Sequence, residues 1–389
     1  MAASCQGDFT PSERTLSIAA VVFASFGVGV AFGVGFPLTA LTLEAWGEPK
    51  WVIGLGGAAP GIATVMVLPF APRIISRLGG VATILLGSTL AALAFLSLGA
   101  TSSATAWIIV RLIGSAGVAL PWLVGETWIN LVAREETRAR AIAIYVVSFF
   151  AGFAVGPQVL DAVGLTGMAP FVVGALGSAF AGLPILLAYR LAPDMSFDHA
   201  TNAFSALRLA PLAFAAAFIG GFSEITYLSL VPNVGLAAGL TSSEALRLLS
   251  IVTLGGFVLQ FPLGWIADTW SRLGLLMILA GAFIVFSLML PFAFGRPMAA
   301  ETLAFLIGGV ILGFYTIGLA MLGERVQVSQ LAAANAGFII MYQVGAIVGP
   351  IAAGAAMTQS PIIGFILTMT TMMALSAIGL WVLNARSRP

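Results

Sequence analysis

The sequence predicts an all-α membrane protein of twelve transmembrane helices in two pseudo-symmetric six-helix halves, and three observations carry that prediction. Of 389 residues, 60% are hydrophobic and 8% charged, whereas a soluble domain carries about 25% charged residues. The apolar residues fall in twelve long runs with few charges, and a helix that crosses a bilayer needs about 20 such residues. Two separate segments recur at nearly one spacing, close to half the chain length, which marks an internal repeat.

Between their polar punctuation the runs place spans at 16–43, 51–72, 81–100, 105–131, 141–163, 167–190, 209–235, 246–266, 273–294, 302–323, 333–356 and 361–384. The first follows a polar lead and is far longer than the apolar region of a signal peptide, so it is expected to be a retained span. PRIISRLGG separates spans two and three, LVAREETRAR separates four and five, GWIADTWSR leads from eight to nine, and GERVQVS closes ten. Outer-membrane barrels show alternating segments of about ten residues, which these continuous runs exclude. Twelve spans leave too little chain for a sizeable extramembrane domain.

Lys and Arg set the orientation, because short cytoplasmic loops retain positive charge. With the N-terminus inside, Arg14, Arg73, Arg77, Arg134, Arg138, Arg140, Arg190, Arg208, Arg272, Arg325, Arg386 and Arg388 are cytoplasmic. Lys50, Arg247 and Arg296 fall outside, and Arg111 lies within a span. Both termini are therefore expected in the cytoplasm and the protein in the plasma (inner) membrane. The polar stretch 191–208 reads as a cytoplasmic linker between an N-terminal half, 1–190, and a C-terminal half, 209–389. The repeat agrees: GFAVGP in span five, with Gly152, Gly156 and Pro157, returns in span eleven as Gly345, Gly349 and Pro350, 193 residues on. PRIISRLGG aligns with GWIADTWSR at an offset of 192. Parallel halves with small residues at matching depths suit rocking about a midplane site.

Net charge is +1, so no whole-molecule field favours nucleic acid. The single cysteine, Cys5, cannot form an internal disulfide, and the single histidine, His199, lies in the polar linker. A metal centre built on His/Cys clusters is excluded on that inventory. With no phosphate loop and no Ser-His-Asp set, no cofactor, no ATP-driven pumping and no enzyme activity are expected.

Three motif regions resemble the major facilitator superfamily (MFS) of transporters along nearly the whole chain. Gly264, Asp268 and Arg272 match its Gly-x-x-x-Asp-Arg-x-Gly-Arg loop in the second half, while the first-half copy keeps Arg77 and Gly79 but has Ser76 in place of Asp. Its fourth-span Arg followed by small residues is similar to Arg111, Gly114, Ser115 and Gly117. Its antiporter signature, Gly-x-x-x-Gly-Pro in span five, resembles Gly152, Gly156 and Pro157, followed here by Leu160 and Asp161. Gly125–Tyr145 is similar to a Glu-Ser/Thr-x-x segment of a bacterial branch whose substrates are mostly unassigned, and the Gly-Pro motif resembles that of a drug/proton antiporter-like branch. The resemblance implies alternating access by a secondary transporter.

The residues support this with their own chemistry. Gly-x-x-x-Gly lets helix backbones approach, and the Pro bends the span, so both copies are expected at a hinge or sliding contact between the halves. Arg111 lies inside the fourth span, where an ionised guanidinium must be paired or wetted. Ser115, Val118, Trp122 and Gly125 return to within about 40° of it on the helix, and Glu126 to about 60°. Glu224, in the middle of span seven, is an intramembrane carboxyl and a proton-coupling candidate, with Glu126 as a second. Arg111, Trp122, Glu224, Tyr227, Tyr315 and Gln343 are substrate-binding candidates, and Phe32, Phe36 and Tyr145 also fall at span centres. Glu126 and Glu324 each follow a Gly at a cytoplasmic boundary, where they either snorkel or latch a gate by pairing with arginines such as Arg77 or Arg272. Asp268 is another latch candidate.

The favoured function is therefore proton-coupled transport of a small organic solute, with efflux by antiport, by a chain that works as a monomer. Uptake of an organic anion or zwitterion is the alternative, with Arg111 opposite Glu224 supplying carboxylate recognition. A non-transporting membrane receptor is a more remote one.

Overall fold

The computed structural model describes residues 9–195, 210–326 and 328–386. Cys5, His199, Arg208, Arg388 and residues 196–208 of the expected linker lie outside that set. The described residues form twelve helices long and apolar enough to cross a membrane. They are α1 (Pro11–Ala45), α2 (Lys50–Val67), α3 (Ala71–Gly99), α4 (Ala104–Val132), α5 (Arg138–Val163), α6 (Ala169–Leu187), α7 (Pro211–Ala237), α8 (Ser242–Thr269), α9 (Arg272–Ala293), α10 (Pro297–Arg325), α11 (Val328–Met357) and α12 (Pro361–Arg386). In lipid every backbone polar group must find its partner inside the segment, and a helix does this residue by residue.

Several helices begin at a polar residue that caps them. Thr241 accepts from the Glu244 amide while Glu244 takes the Thr241 amide, so α8 starts at Ser242 rather than at 246. Thr10 and Glu13 exchange the same pair of bonds before α1. Ser271 caps α9 by accepting from the Gly274 amide at 3.2 Å. Two expectations need correcting. Span two stops at Val67, not 72, because Pro69 disfavours helical backbone at Leu68 and lacks an amide to continue the ladder. PRIISRLGG is not a loop: its residues are already helical from Ala71, and the break falls at Gly79, with φ 78° and ψ 163°, a conformation open to glycine.

The packing resolves into two compact units, Met1–Leu38 with Ile62–Asp198 and Thr39–Gly61 with His199–Pro389. In the first, Trp128 is fully buried and donates its indole N–H to Ser17 at 2.9 Å; Ser17 in turn donates to the Leu191 carbonyl, and Arg14 to that of Val132. In the second, α7 is the central helix, with α8, α10, α11 and α12 all packed on it.

The Gly-x-x-x-Gly-Pro segments close a helix crossing inside each unit. A Cβ at Gly152 would strike Phe26 and Val30 of α1, and one at Gly156 would strike Gly33 and Val34. In the second unit Gly345 and Gly349 lie against Phe218, Phe222 and Thr226 of α7. The small residues serve α1 on α5 and α7 on α11, where backbones touch, and the α11 copy also reaches the other sequence half, where Pro350 and Gly354 meet Gly54 of α2. Pro157 and Pro350 are buried in the same segments. The first half of α2 belongs to the second unit for a related reason, since Gly54, Gly57 and Gly61 meet Pro350, Ser229 and Ile347.

Candidate functional site

Each unit holds its own polar centre. In the second, Glu224 on α7 accepts a hydrogen bond from the Tyr342 hydroxyl of α11 at 2.8 Å. The Tyr342 ring packs edge-on against Tyr315 of α10 (centroids 5.4 Å apart), and Tyr315 against Phe338 (5.3 Å). Next to Tyr315 on α10, Thr316 accepts from the Gln260 amide of α8 at 2.7 Å. The carboxyl is thus held by a neutral donor and aromatic rings among packed helices. Gln343, next to Tyr342, is buried on α11. Tyr227 goes elsewhere: it is fully buried, its hydroxyl meets Ser287 of α9 at 3.0 Å, and its ring packs against Phe283 and Phe365.

In the first unit, Arg111 of α4 is 5% exposed. Its guanidinium lies against Gly35 of α1 and 5.8 Å from the Phe36 ring centroid. Nε and Nη2 have no hydrogen-bond partner. Ser115, one turn on, is equally buried and its hydroxyl is also unpartnered. Further along α4, Trp122 and Glu126 are half-buried, and the Tyr145 hydroxyl of α5 reaches the Trp122 carbonyl at 3.4 Å.

Of the latch candidates, Glu324 pairs with Arg272 at 3.0 Å, joining the end of α10 to the start of α9 within one unit. Arg77 and Asp268 are exposed and, like Glu126, form none of the three ion pairs found among the described residues.

Sequence reasoning missed Tyr342, the donor to Glu224, and a second polar cluster in the same unit. There Lys50, at the start of α2, pairs with both Glu44 oxygens at the end of α1. Asn233 of α7 donates to Glu44 at 2.8 Å and to the Ala40 carbonyl at 3.2 Å. The signal available was the opposite charges six residues apart across one short loop; nothing local pointed to Asn233.

Twelve membrane-length helices with buried polar groups inside each helical unit define a multi-pass membrane protein of the transporter class. The chain belongs to the Major Facilitator Superfamily, whose family model matches residues 18–319 and 213–389. Relatives include the uncharacterized MFS-type transporter YfkF of Bacillus subtilis, 26% identical over 335 residues that make up 84% of this chain and 85% of the relative. YcaD of Salmonella dublin, likewise an uncharacterized MFS-type transporter, is 25% identical over 82% of this chain and 84% of its own. Among solved structures, the nucleoside transporter NupG superposes with a TM-score of 0.76 at 17% identity, covering 96% of this chain and 99% of that one. A bacterial homolog of the human lysosomal transporter Spinster, inward-facing and occupied, gives 0.70 at 13% identity over 97% and 96%. At such identities these two speak for the fold.

Proposed function

We propose that the chain is a proton-coupled secondary transporter that moves a small organic solute by alternating access and exports it in exchange for protons. The observation that carries this reading is Glu224, a carboxyl inside the second unit whose partner is the Tyr342 hydroxyl rather than a cation. A carboxyl without a counter-charge in a membrane interior can hold a proton and release it when the site opens to water. The Gly-x-x-x-Gly-Pro sequence of α5 resembles the antiporter signature and supports export. In this reading the protein works as a monomer in the plasma membrane with both termini cytoplasmic, as the distribution of Lys and Arg favours.

Proton-driven uptake is the second reading, favoured by the unpaired guanidinium edge of Arg111. Solutes ranked by thermal shift on the purified protein would be tested in liposomes carrying a pH dye. Glu224→Gln keeps the shape of the side chain and removes the titratable group. Solute-dependent proton flux is expected to vanish while the variant stays folded, and unchanged flux refutes the coupling role. The sign of the flux distinguishes export from uptake.

A further inference from the structure

We infer that Arg111, Ser115 and the neighbouring phenylalanines form a binding site for an organic oxoanion with an aromatic body, a substrate class that rests on the transport function proposed above. The unpartnered atoms of Arg111 are Nε and Nη2. Together they make the side-on edge of the guanidinium, whose two parallel N–H bonds match two oxygens of one carboxylate or phosphate. The rest of the group is already engaged. Nη1 lies against Gly35, where a Cβ would come within 2.5 Å of it and 2.9 Å of Nη2, so the glycine leaves room for the guanidinium. The Phe36 ring at 5.8 Å provides cation–π attraction but no hydrogen-bond acceptor.

A buried charge with two free donors is costly unless an anion completes it. Ser115 adds a hydroxyl on the same helix face, 3% exposed and unpartnered. Beside the guanidinium, Phe36 stacks on Phe32 (centroids 5.9 Å apart), Phe32 meets Phe149 edge-on at 6.1 Å, and Phe36 lies 6.1 Å from Phe153. This wall of α1 and α5 rings suits an aromatic body by stacked or edge-to-face contact. A small inorganic anion would leave it unused.

The test is equilibrium binding to the purified protein, read by thermal shift and by a competition titration. Benzoate and phenylphosphate are the charged probes, and benzamide is the neutral match. Wild type is expected to be stabilised by at least one charged probe and not by benzamide, and the stronger of the two identifies the head group. Arg111→Gln is expected to weaken that probe by about tenfold to a hundredfold, the range for losing a charge-assisted hydrogen-bond pair. Arg111→Lys should recover only part of this loss, since an ammonium cannot offer the paired edge.

No binding of either anion to wild type, equal binding of benzoate and benzamide, or full affinity in Arg111→Gln would each overturn the proposal. The first two outcomes need no variant. Because binding needs no gradient, the two proposals fail separately. Normal proton flux in Glu224→Gln with Arg111-dependent benzoate binding removes the coupling role and upholds this site; lost flux with Arg111-independent binding does the reverse.

Discussion

At Gly156 the sign of a single methyl group is set by what it would touch. A Cβ there would lie 2.5 Å from the Gly33 carbonyl carbon and 2.7 Å from both Gly33 Cα and the Val34 nitrogen. Ordinary contacts between such atoms are about 3.5–4.0 Å, so Gly156→Ala must push α1 and α5 apart by about 1 Å. Because the obstacle is backbone, no rotamer change relieves it, and the cost falls near the upper end of the overpacking range, about 3 kcal/mol. Against this, alanine gains about 1 kcal/mol over glycine in a helix. The net effect is a loss of about 2 kcal/mol.

Gly281 on α9 has nothing within 4 Å of its Cβ position, so Gly281→Ala keeps the whole helical gain of about 1 kcal/mol. With about 2–4 °C per kcal/mol for a unit of this size, Gly156→Ala is expected to melt about 4–8 °C lower and Gly281→Ala about 2–4 °C higher. Gly345→Ala, whose Cβ would lie 2.7 Å from the Phe222 nitrogen, should follow Gly156→Ala. Thermal melts in one detergent measure all three. Shifts of the same sign at Gly156 and Gly281 would refute the claim that α1 and α5 touch through their backbones.

Tyr227→Phe leaves the buried Ser287 hydroxyl without its partner and is expected to cost about 1–2 kcal/mol of stability, with solute-dependent proton flux per folded molecule unchanged; lost flux at unchanged stability would show that Tyr227 contacts the solute. The Arg272–Glu324 pair is partly open to water, with the Glu324 side chain 59% exposed. A double-mutant cycle is expected to give a coupling of at most about 1 kcal/mol that fades in about 1 M salt. A coupling that survives such salt would mean that the pair is shielded from solvent.

Glu224 and Tyr342 show how far the candidate site was legible. A carboxyl amid the apolar residues of span seven stands out in one dimension, because its cost in a bilayer does not depend on which helix lies beside it. Its donor does not stand out. Tyr342 is 118 residues away, and one tyrosine among many span-centre aromatics acquires meaning only when α7 and α11 cross. Tyr227, three residues from Glu224, turned away for the same reason: its ring meets Phe283 of α9 and Phe365 of α12, which are far from it in sequence. Asn233 and the Glu44–Lys50 pair likewise belong to one cluster only because α7 meets the end of α1 and the start of α2.

The sequence alone determined the number, order and approximate extent of the helices, since a long apolar run has one way to satisfy its backbone in lipid and needs no partner to do so. It also determined that Arg111 and Glu224 are buried ionisable groups by position and that Gly156 and Gly349 sit at close contacts. Tertiary structure decided everything that takes two segments. It put Gly156 against α1 and Gly349 against α7, paired Glu324 with Arg272, gave Glu224 a tyrosine, and left Nε and Nη2 of Arg111 buried without a hydrogen-bond partner. Helix formation is local and additive along the chain, whereas the partner of a side chain depends on helix crossings set by packing over the whole unit.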